Sequence, residues 1–315
     1  MTSVESEATA TDTAQRPRVR DVAGAYIGLT KPRVVELLLL TTVPVMFAAQ
    51  RGVPPLGLVI ATVVGGTLSA GAANSLNCVY DRDIDEQMRR TRRRALPRHM
   101  VSPRNALIFG LTLMVGSTLL LGFAVNWLSS GLALAASAFY LLIYTMILKR
   151  RTTQNIVWGG AAGCMPVVIG WAAVTGRVEW PALVMFGVIF FWTPPHFWAL
   201  AMRYRDDYAA AGVPMLPVVA TPVQVSRRIV VYAWVMAVWS LLLVPATSWI
   251  YAVVAVALGG YFLFRAHRLH AGVVAGREVV PMKLFHLSNM YLCGLFAAIA
   301  VDAAVGLPVL GAVPF

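Results

Sequence analysis

Nine stretches of this 315-residue chain are apolar over enough residues to approach or exceed the span of a hydrocarbon core roughly 30 Å thick. They read as helices over 34–49, 56–79, 106–125, 128–148, 156–174, 181–202, 229–244, 249–264 and 285–301. The first is short and can borrow turns from 26–30; the second and sixth overrun the bilayer at their C-terminal ends. Only 13% of residues are charged, against about 25% in soluble domains, so the surface of this molecule mostly faces lipid. Soluble folds are excluded. The expected class is all-α: a polytopic membrane bundle of about nine transmembrane helices over 21–315, preceded by a polar, disordered cytoplasmic tail over 1–20 that lacks a signal-peptide core.

A net charge of +12 invites a nucleic-acid reading until its placement is examined. Nine crossings put the N-terminus and the loops 80–105, 149–155, 203–228 and 265–284 on one side. These hold 24 of the 26 Lys and Arg residues, leaving only Arg51 and Arg177 opposite. Positive loops stay cytoplasmic, so the N-terminus lies inside and the basic balance needs no nucleic acid. Cys78, Cys164 and Cys293 lie in apolar segments without CxxC spacing and read as packing residues.

The second span ends in Asn77, Asp81 and Asp85, spaced i, i+4, i+8. At 3.6 residues per turn they share one stripe that drifts about 40° per step, whereas Asp83 projects roughly 200° from Asp81. Two carboxylates and an amide oxygen on one stripe form a hard-oxygen site suited to Mg2+ and a phosphate substrate. The bland alternative is a solvated helix end paired with Arg82, Arg89 and Arg90. A second acidic pair, Asp206 and Asp207, follows the sixth span and emerges on the same face, which suggests two similar halves in parallel orientation. Two such clusters facing across a cavity can hold two Mg2+ ions and bridge a diphosphate, stabilising charge on the leaving group as a C–O bond breaks. Lys31, Arg33, Arg89–Arg94 and Lys149–Arg151 flank this side; most serve as topology signals, and a few belong to the site.

These residues resemble a family. Asn77-x3-Asp81-x3-Asp85 is similar to the aspartate-rich motif of UbiA-type intramembrane prenyltransferases. Leu29-Thr-Lys-Pro-Arg-Val34, Tyr80-Asp-Arg-Asp-Ile-Asp85, Lys149-Arg-Arg-Thr-Thr-Gln-Asn-Ile156 and Gly170-Trp-Ala-Ala-Val-Thr-Gly176 extend the likeness. Trp192-Thr-Pro-Pro-His-Phe-Trp-Ala-Leu200 and Gly212-Val-Pro-Met-Leu-Pro-Val218 narrow it to the protohaem IX farnesyltransferase (haem O synthase) branch. The likeness covers roughly 28–218 and resumes weakly near 285–291. After Arg94 it departs: the family pattern reads Arg-Pro-Leu with a Gly shortly afterwards, whereas this chain has Ala95-Leu-Pro-Arg-His99.

The resemblance implies a bundle of nine transmembrane helices in the cell membrane around a central cavity, capped by cytoplasmic loop helices, with the active site on the cytoplasmic side. It implies Mg2+-dependent transfer of a farnesyl group from farnesyl diphosphate to a vinyl group of haem B, giving haem O. Haem A synthase or a terminal oxidase assembly is its further candidate partner. Residue by residue, Asn77, Asp81 and Asp85 would hold one Mg2+, and Asp207 with Asp206 the other. Lys31, Arg33, Arg90, Arg94, Lys149 and Arg150 would contact diphosphate. Tyr80, Tyr144, Trp192, Phe197 and Trp198 either line the cavity, where an aromatic face stabilises a cation by ~1–2 kcal/mol, or serve packing and the interfacial belt. His196, after a Pro-Pro pair that distorts its helix, contacts the haem iron, a propionate or a freed backbone carbonyl. His99, His267, His270 and His286 are read as loop or interface residues. Glu36 is expected to face the cavity, because an unpaired charge in lipid is costly, and Asp302 to reach the outer interface. Two alternatives stay open: another UbiA-type enzyme acting on a quinone precursor or chlorophyll-like ring, and a membrane transporter.

Overall fold

The computed structural model describes residues 18–311, excepting the side chains of 33–34 and 36–39. Arg33 and Glu36 therefore lie outside the described side chains, and nearly all of the polar tail expected over 1–20 lies outside the described residues.

All regular structure among the described residues is helical. The order begins with α1 (Val19–Leu29), α2 (Pro32–Gln50), α3 (Leu56–Tyr80), α4 (Arg82–Gln87) and α5 (Pro103–Ala124). Next come α6 (Trp127–Ala138), a π-helical stretch Phe139–Leu148, α7 (Lys149–Arg151), α8 (Asn155–Thr175), α9 (Trp180–Arg203), α10 (Arg205–Ala210) and α11 (Leu216–Val219). Then α12 (Pro222–Ser240) runs into a 3-10 turn, Leu241–Ala246, before α13 (Trp249–Val274) and α14 (Pro281–Val305).

Eight helices among the described residues are long and apolar enough to cross a membrane, and α2 contributes a shorter apolar stretch, Leu40–Gln50. The expected spans are recognisable, with two differences. α1 is a separate helix ahead of the first span. α12 and α13 extend well past the apolar runs at 229–244 and 249–264, because hydropathy ends where Arg227, Arg228, Arg265 and Arg268 begin but helical hydrogen bonding does not. Thr221 and Gln224 form a reciprocal capping box that starts α12 seven residues before its expected boundary (229 − 222 = 7).

The bundle turns its large side chains outward where they meet lipid. Leu107, Leu111, Val115 and Leu119 form an exposed i, i+4 stripe on α5. The opposite side of α5 packs on α3 through small residues: a Cβ on Gly110 would come within 2.9 Å of Leu76, and Ser117 donates to the Gly65 carbonyl at 2.7 Å. Interfaces of this kind draw on close backbone approach and interhelical hydrogen bonds, since lipid offers no hydrophobic gain. The main hydrophobic core lies elsewhere, among α8, α9, α12, α13 and α14.

At the end of the bundle away from the acidic residues, Asp302 is buried and accepts from the Ser248 amide at 2.7 Å and from its hydroxyl. This corrects the expectation that it reaches the interface. A carboxylate there satisfies the N-terminus of α13, whose first amides lack helical partners.

Candidate active site at the ends of α3 and α9

Both acidic stretches follow a long apolar helix by one short turn. α3 stops at Asp81 (φ −87°, ψ 7°), yet amide bonds from Asp81 to the Asn77 carbonyl and from Asp85 to the Asp81 carbonyl, both 2.9 Å, carry the i, i+4 register into α4. The expected stripe therefore survives the break. Asn77 is buried, and Asp81 and Asp85 are 0% and 2% exposed.

Buried carboxylates need compensating charge, and basic residues from three separate segments supply it. Lys149 donates to Asp81 Oδ2, with Arg150 Nη2 at 3.6 Å from Asp81 Oδ1. Arg94 Nη1 bridges both oxygens of Asp85 at 2.7 and 2.9 Å. Lys31 Nζ donates to Asn77 Oδ1 at 2.7 Å, while Asn77 Nδ2 donates to Asp81 Oδ2 at 2.7 Å and to Thr145 Oγ1 at 3.0 Å. Lys31 is aimed by its backbone: its left-handed conformation (φ 52°) turns the chain from α1 into α2. Burial holds its ammonium below the usual lysine range, and Arg94 pushes the same way. Burial works against the charge on Arg94, but the attraction and hydrogen bond of Asp85, with its other neighbours, together raise the guanidinium pKa.

Lys149 and Arg150 arrive by way of the π-helical stretch. There Thr145 donates to the Tyr140 carbonyl at 2.8 Å while accepting from Asn77. The wide turn ties this segment to the end of α3, in keeping with the frequent location of π-helical turns at functional sites.

The two acidic loops pack together. Ile84 and Met88, from the first, share a hydrophobic cluster with Tyr208, Ala211, Val213 and Met215 of the second. Arg90 donates to the Tyr208 hydroxyl at 3.2 Å and lies 5.9 Å from the ring centroids of both Tyr204 and Tyr208. Of the six basic residues singled out in the sequence, Lys31, Arg94, Lys149 and Arg150 reach the Asn77–Asp81–Asp85 stripe, and Arg90 reaches the tyrosines instead. Asp206 is exposed and Asp207 half-buried.

Sequence reasoning missed the part played by Asp83. It does project away, at 55% side-chain exposure, but it takes both terminal nitrogens of Arg150 at 2.6 and 2.7 Å. Those hydrogen bonds hold its carboxyl below the usual aspartate range. Asp83 thus steadies the arginine beside Asp81. Its nearness to Asp81 in sequence was the available signal.

The aromatic residues divide. Tyr144 stacks on Tyr140 at 5.4 Å and packs on Gly159. Trp192 is buried against His196, and Phe197 packs on the loop cluster. Tyr80 is exposed, with the Arg150 guanidinium 5.0 Å from its ring centroid. Trp198 lies within the core, 1% exposed and edge-on to Tyr232 of α12 at 5.3 Å, so the structure does not bring it to the carboxylates. α9 continues unbroken through Pro194 and Pro195, which deprive the Phe190 and Phe191 carbonyls of their i+4 donors. His196 takes up neither carbonyl; its Nδ1 meets Ser288 Oγ at 2.7 Å.

Among the described residues, no three His, Cys, Asp or Glu side chains stand together as a metal cluster. The donor set nevertheless suits a hard cation. Asp81 Oδ1 is buried without a hydrogen-bond partner, and the atoms of the stripe able to ligate a cation are oxygens.

The fold is that of a helical membrane bundle with two acidic stretches at one end, the first interlocked with lysines and arginines, and the chain belongs to the UbiA prenyltransferase family, whose model matches residues 38–306. It is 63% identical over 298 residues to protoheme IX farnesyltransferase 2 of Saccharopolyspora erythraea, covering 95% of this chain and 91% of that one. Among solved structures it resembles a digeranylgeranylglyceryl phosphate synthase (TM-score 0.72, 13% identity, 90% of this chain and 99% of that one). It also resembles a UbiA homologue from Archaeoglobus fulgidus bound to GPP and Mg2+ (TM-score 0.60, 14% identity, 88% and 99%). These two likenesses concern the fold.

Proposed function

We propose that this chain transfers the farnesyl group of farnesyl diphosphate to a vinyl group of haem B, releasing diphosphate and giving haem O. The observation that carries the reading is the buried Asn77–Asp81–Asp85 stripe clasped by Lys31, Arg94 and Lys149, joined to a relative 63% identical that bears a protoheme IX farnesyltransferase name.

In this reading Asn77, Asp81 and Asp85 bind one Mg2+, and Asp207 with Asp206 the other. Mg2+, when bound, draws off the negative charge that develops on the departing diphosphate. Lys31, Arg33, Arg90, Arg94, Lys149 and Arg150 form the basic side of the diphosphate pocket, since the cations that neutralise the carboxylates carry donors a phosphate oxygen can accept. The farnesyl C–O bond breaks with its electron pair leaving on diphosphate. The vinyl carbon then bonds to the farnesyl carbon, and water adds with loss of a proton. Tyr144 and Trp192 flank the acceptor, with Tyr80 at its edge and His196 on the haem side, while Trp198, enclosed against Tyr232, serves packing. The excess of Lys and Arg on the site's side supports a cytoplasmic N-terminus and a site facing the cytoplasm across the cell membrane. Contact with haem A synthase or the terminal oxidase assembly belongs to the same proposal.

The test is incubation of the purified protein with farnesyl diphosphate, Mg2+ and haem B, read by mass analysis. A haem product heavier by a farnesyl group and a hydroxyl group is expected. Product from 4-hydroxybenzoate with none from haem overturns the assignment.

A further inference from the structure

Of the five histidines, His196 is the buried one. Its ring is stacked between Trp192 at 4.1 Å and Phe285 at 4.4 Å, with interplanar angles of 21° and 27°. Its protonation is decided by its neighbour. Ser288 Oγ lies 2.6 Å from the Phe285 carbonyl oxygen, which has no proton to give, so the one hydroxyl proton points there. Ser288 Oγ must then accept from His196, and the imidazole proton sits on Nδ1. Nε2 is left with its lone pair. None of the hydrogen bonds among the described residues engages it.

The direction of the ring follows from helix geometry. α2 packs on both α8 and α14, and so does α9, so these four helices share a centre. On α9, Thr193 points at Gly160 of α8, and Trp192 donates to the Ser288 carbonyl of α14. At about 100° per residue His196 projects between them, towards that shared centre. Trp198 projects to the far side.

We infer that Nε2 of His196 is an axial ligand to the iron of the bound haem. The inference rests on haem being the acceptor. A hydrogen bond held on Nδ1 is the usual device for fixing the tautomer and plane of a ligating imidazole, and here two stacked rings fix the plane as well. A propionate oxygen has only lone pairs and finds no proton on the Nε2 of a neutral imidazole protonated at Nδ1, whereas a metal takes that Nε2 lone pair directly. Ligand chemistry keeps the metals apart, with imidazole nitrogen for iron and carboxylate oxygens for Mg2+. His196 lies seven residues before the C-terminus of α9, about 10 Å along its axis. Iron held there leaves the edge of the macrocycle free to reach towards the diphosphate end.

The test uses the whole protein in detergent, loaded with ferrous haem B and nitric oxide and read by electron paramagnetic resonance. The wild type should show nitrogen hyperfine structure from a trans imidazole, altered by isotopic nitrogen labelling of its histidines. His196→Ala should lose that signature, and added imidazole should restore it. Ser288→Ala should keep the signature and weaken haem binding on the order of 10–100-fold. A wild-type spectrum indifferent to histidine labelling, or an unchanged signature in His196→Ala, overturns the ligand assignment while haem farnesylation stands. A wild type that binds no haem and farnesylates none overturns the acceptor reading, and the ligand with it.

Discussion

The two acidic stretches stand at equivalent places, each one turn beyond a long apolar helix, but their surroundings are opposite. Asp81 and Asp85 are fully enclosed and each is met by a Lys or Arg. Asp206 and Asp207 stand in the open or half-open, and among the described residues neither is in an ion pair. An enclosed carboxylate without a partner is costly enough that it must be neutralised before substrate arrives, whereas an exposed one is kept charged by water. The first stretch is thus rigid and preset, and the second is free to adjust to what binds.

The sharpest way to break this contrast is to neutralise each member in turn. Asp81→Asn or Asp85→Asn should lower farnesyl transfer by about 10²–10³-fold, the loss typical when one group stabilising transition-state charge is removed. The protein should still elute as a folded species from detergent gel filtration. Asp207→Asn should act chiefly on metal demand, raising the Mg2+ concentration for half-maximal rate by about tenfold, equivalent to ~1.4 kcal/mol. Equal losses of maximal rate from Asp81 and Asp207, with no change in Mg2+ demand, would abolish the distinction.

Asp83 lies between the two cases, exposed but paired. Its folded-state pKa is depressed by Arg150, so its contribution is complete above the ordinary aspartate value of about 3.9 and is lost as pH falls through the lower folded value. Solvent screening keeps it under about 1 kcal/mol. Thermal melts in detergent should converge for wild type and Asp83→Asn at the acid end and separate slightly above pH 4. Transfer by Asp83→Asn should fall far less than tenfold.

The smallest effect concerns the loop that carries Arg94. His99 is exposed and holds φ 55°, a left-handed conformation that favours glycine. His99→Gly removes about 1–2 kcal/mol of strain, partly offset by the extra freedom of glycine in the unfolded chain. A net gain of less than about 1 kcal/mol in melting experiments is expected.

Much of this was legible in the sequence because lipid imposes a coarse rule: apolar runs mark spans, and a carboxylate at a span's end needs a reason. The 77–81–85 stripe follows from helical period alone. Partners lying 46 to 68 residues apart do not: Lys31 on Asn77, Lys149 on Asp81 and Arg150 on Asp83 depend on how helices pack. Composition gave no way to tell Arg90, which rests on tyrosines, from Arg94, which binds Asp85. Asp302 was misjudged for a related reason, since the amide it satisfies lies 54 residues earlier, at the residue that caps α13.

The stretch Phe139–Leu148 has a consequence for how this chain tolerates change. Each residue there turns through less than the α-helical 100°, which shifts the angular phase of all that follows, so Lys149 and Arg150 meet α3 only because the count of residues upstream is what it is. Deleting one residue within it, however apolar and interchangeable these side chains look, would let an ordinary helix re-form and swing both cations by about 100°. Substitutions along this stretch should therefore be mild where single-residue length changes are not.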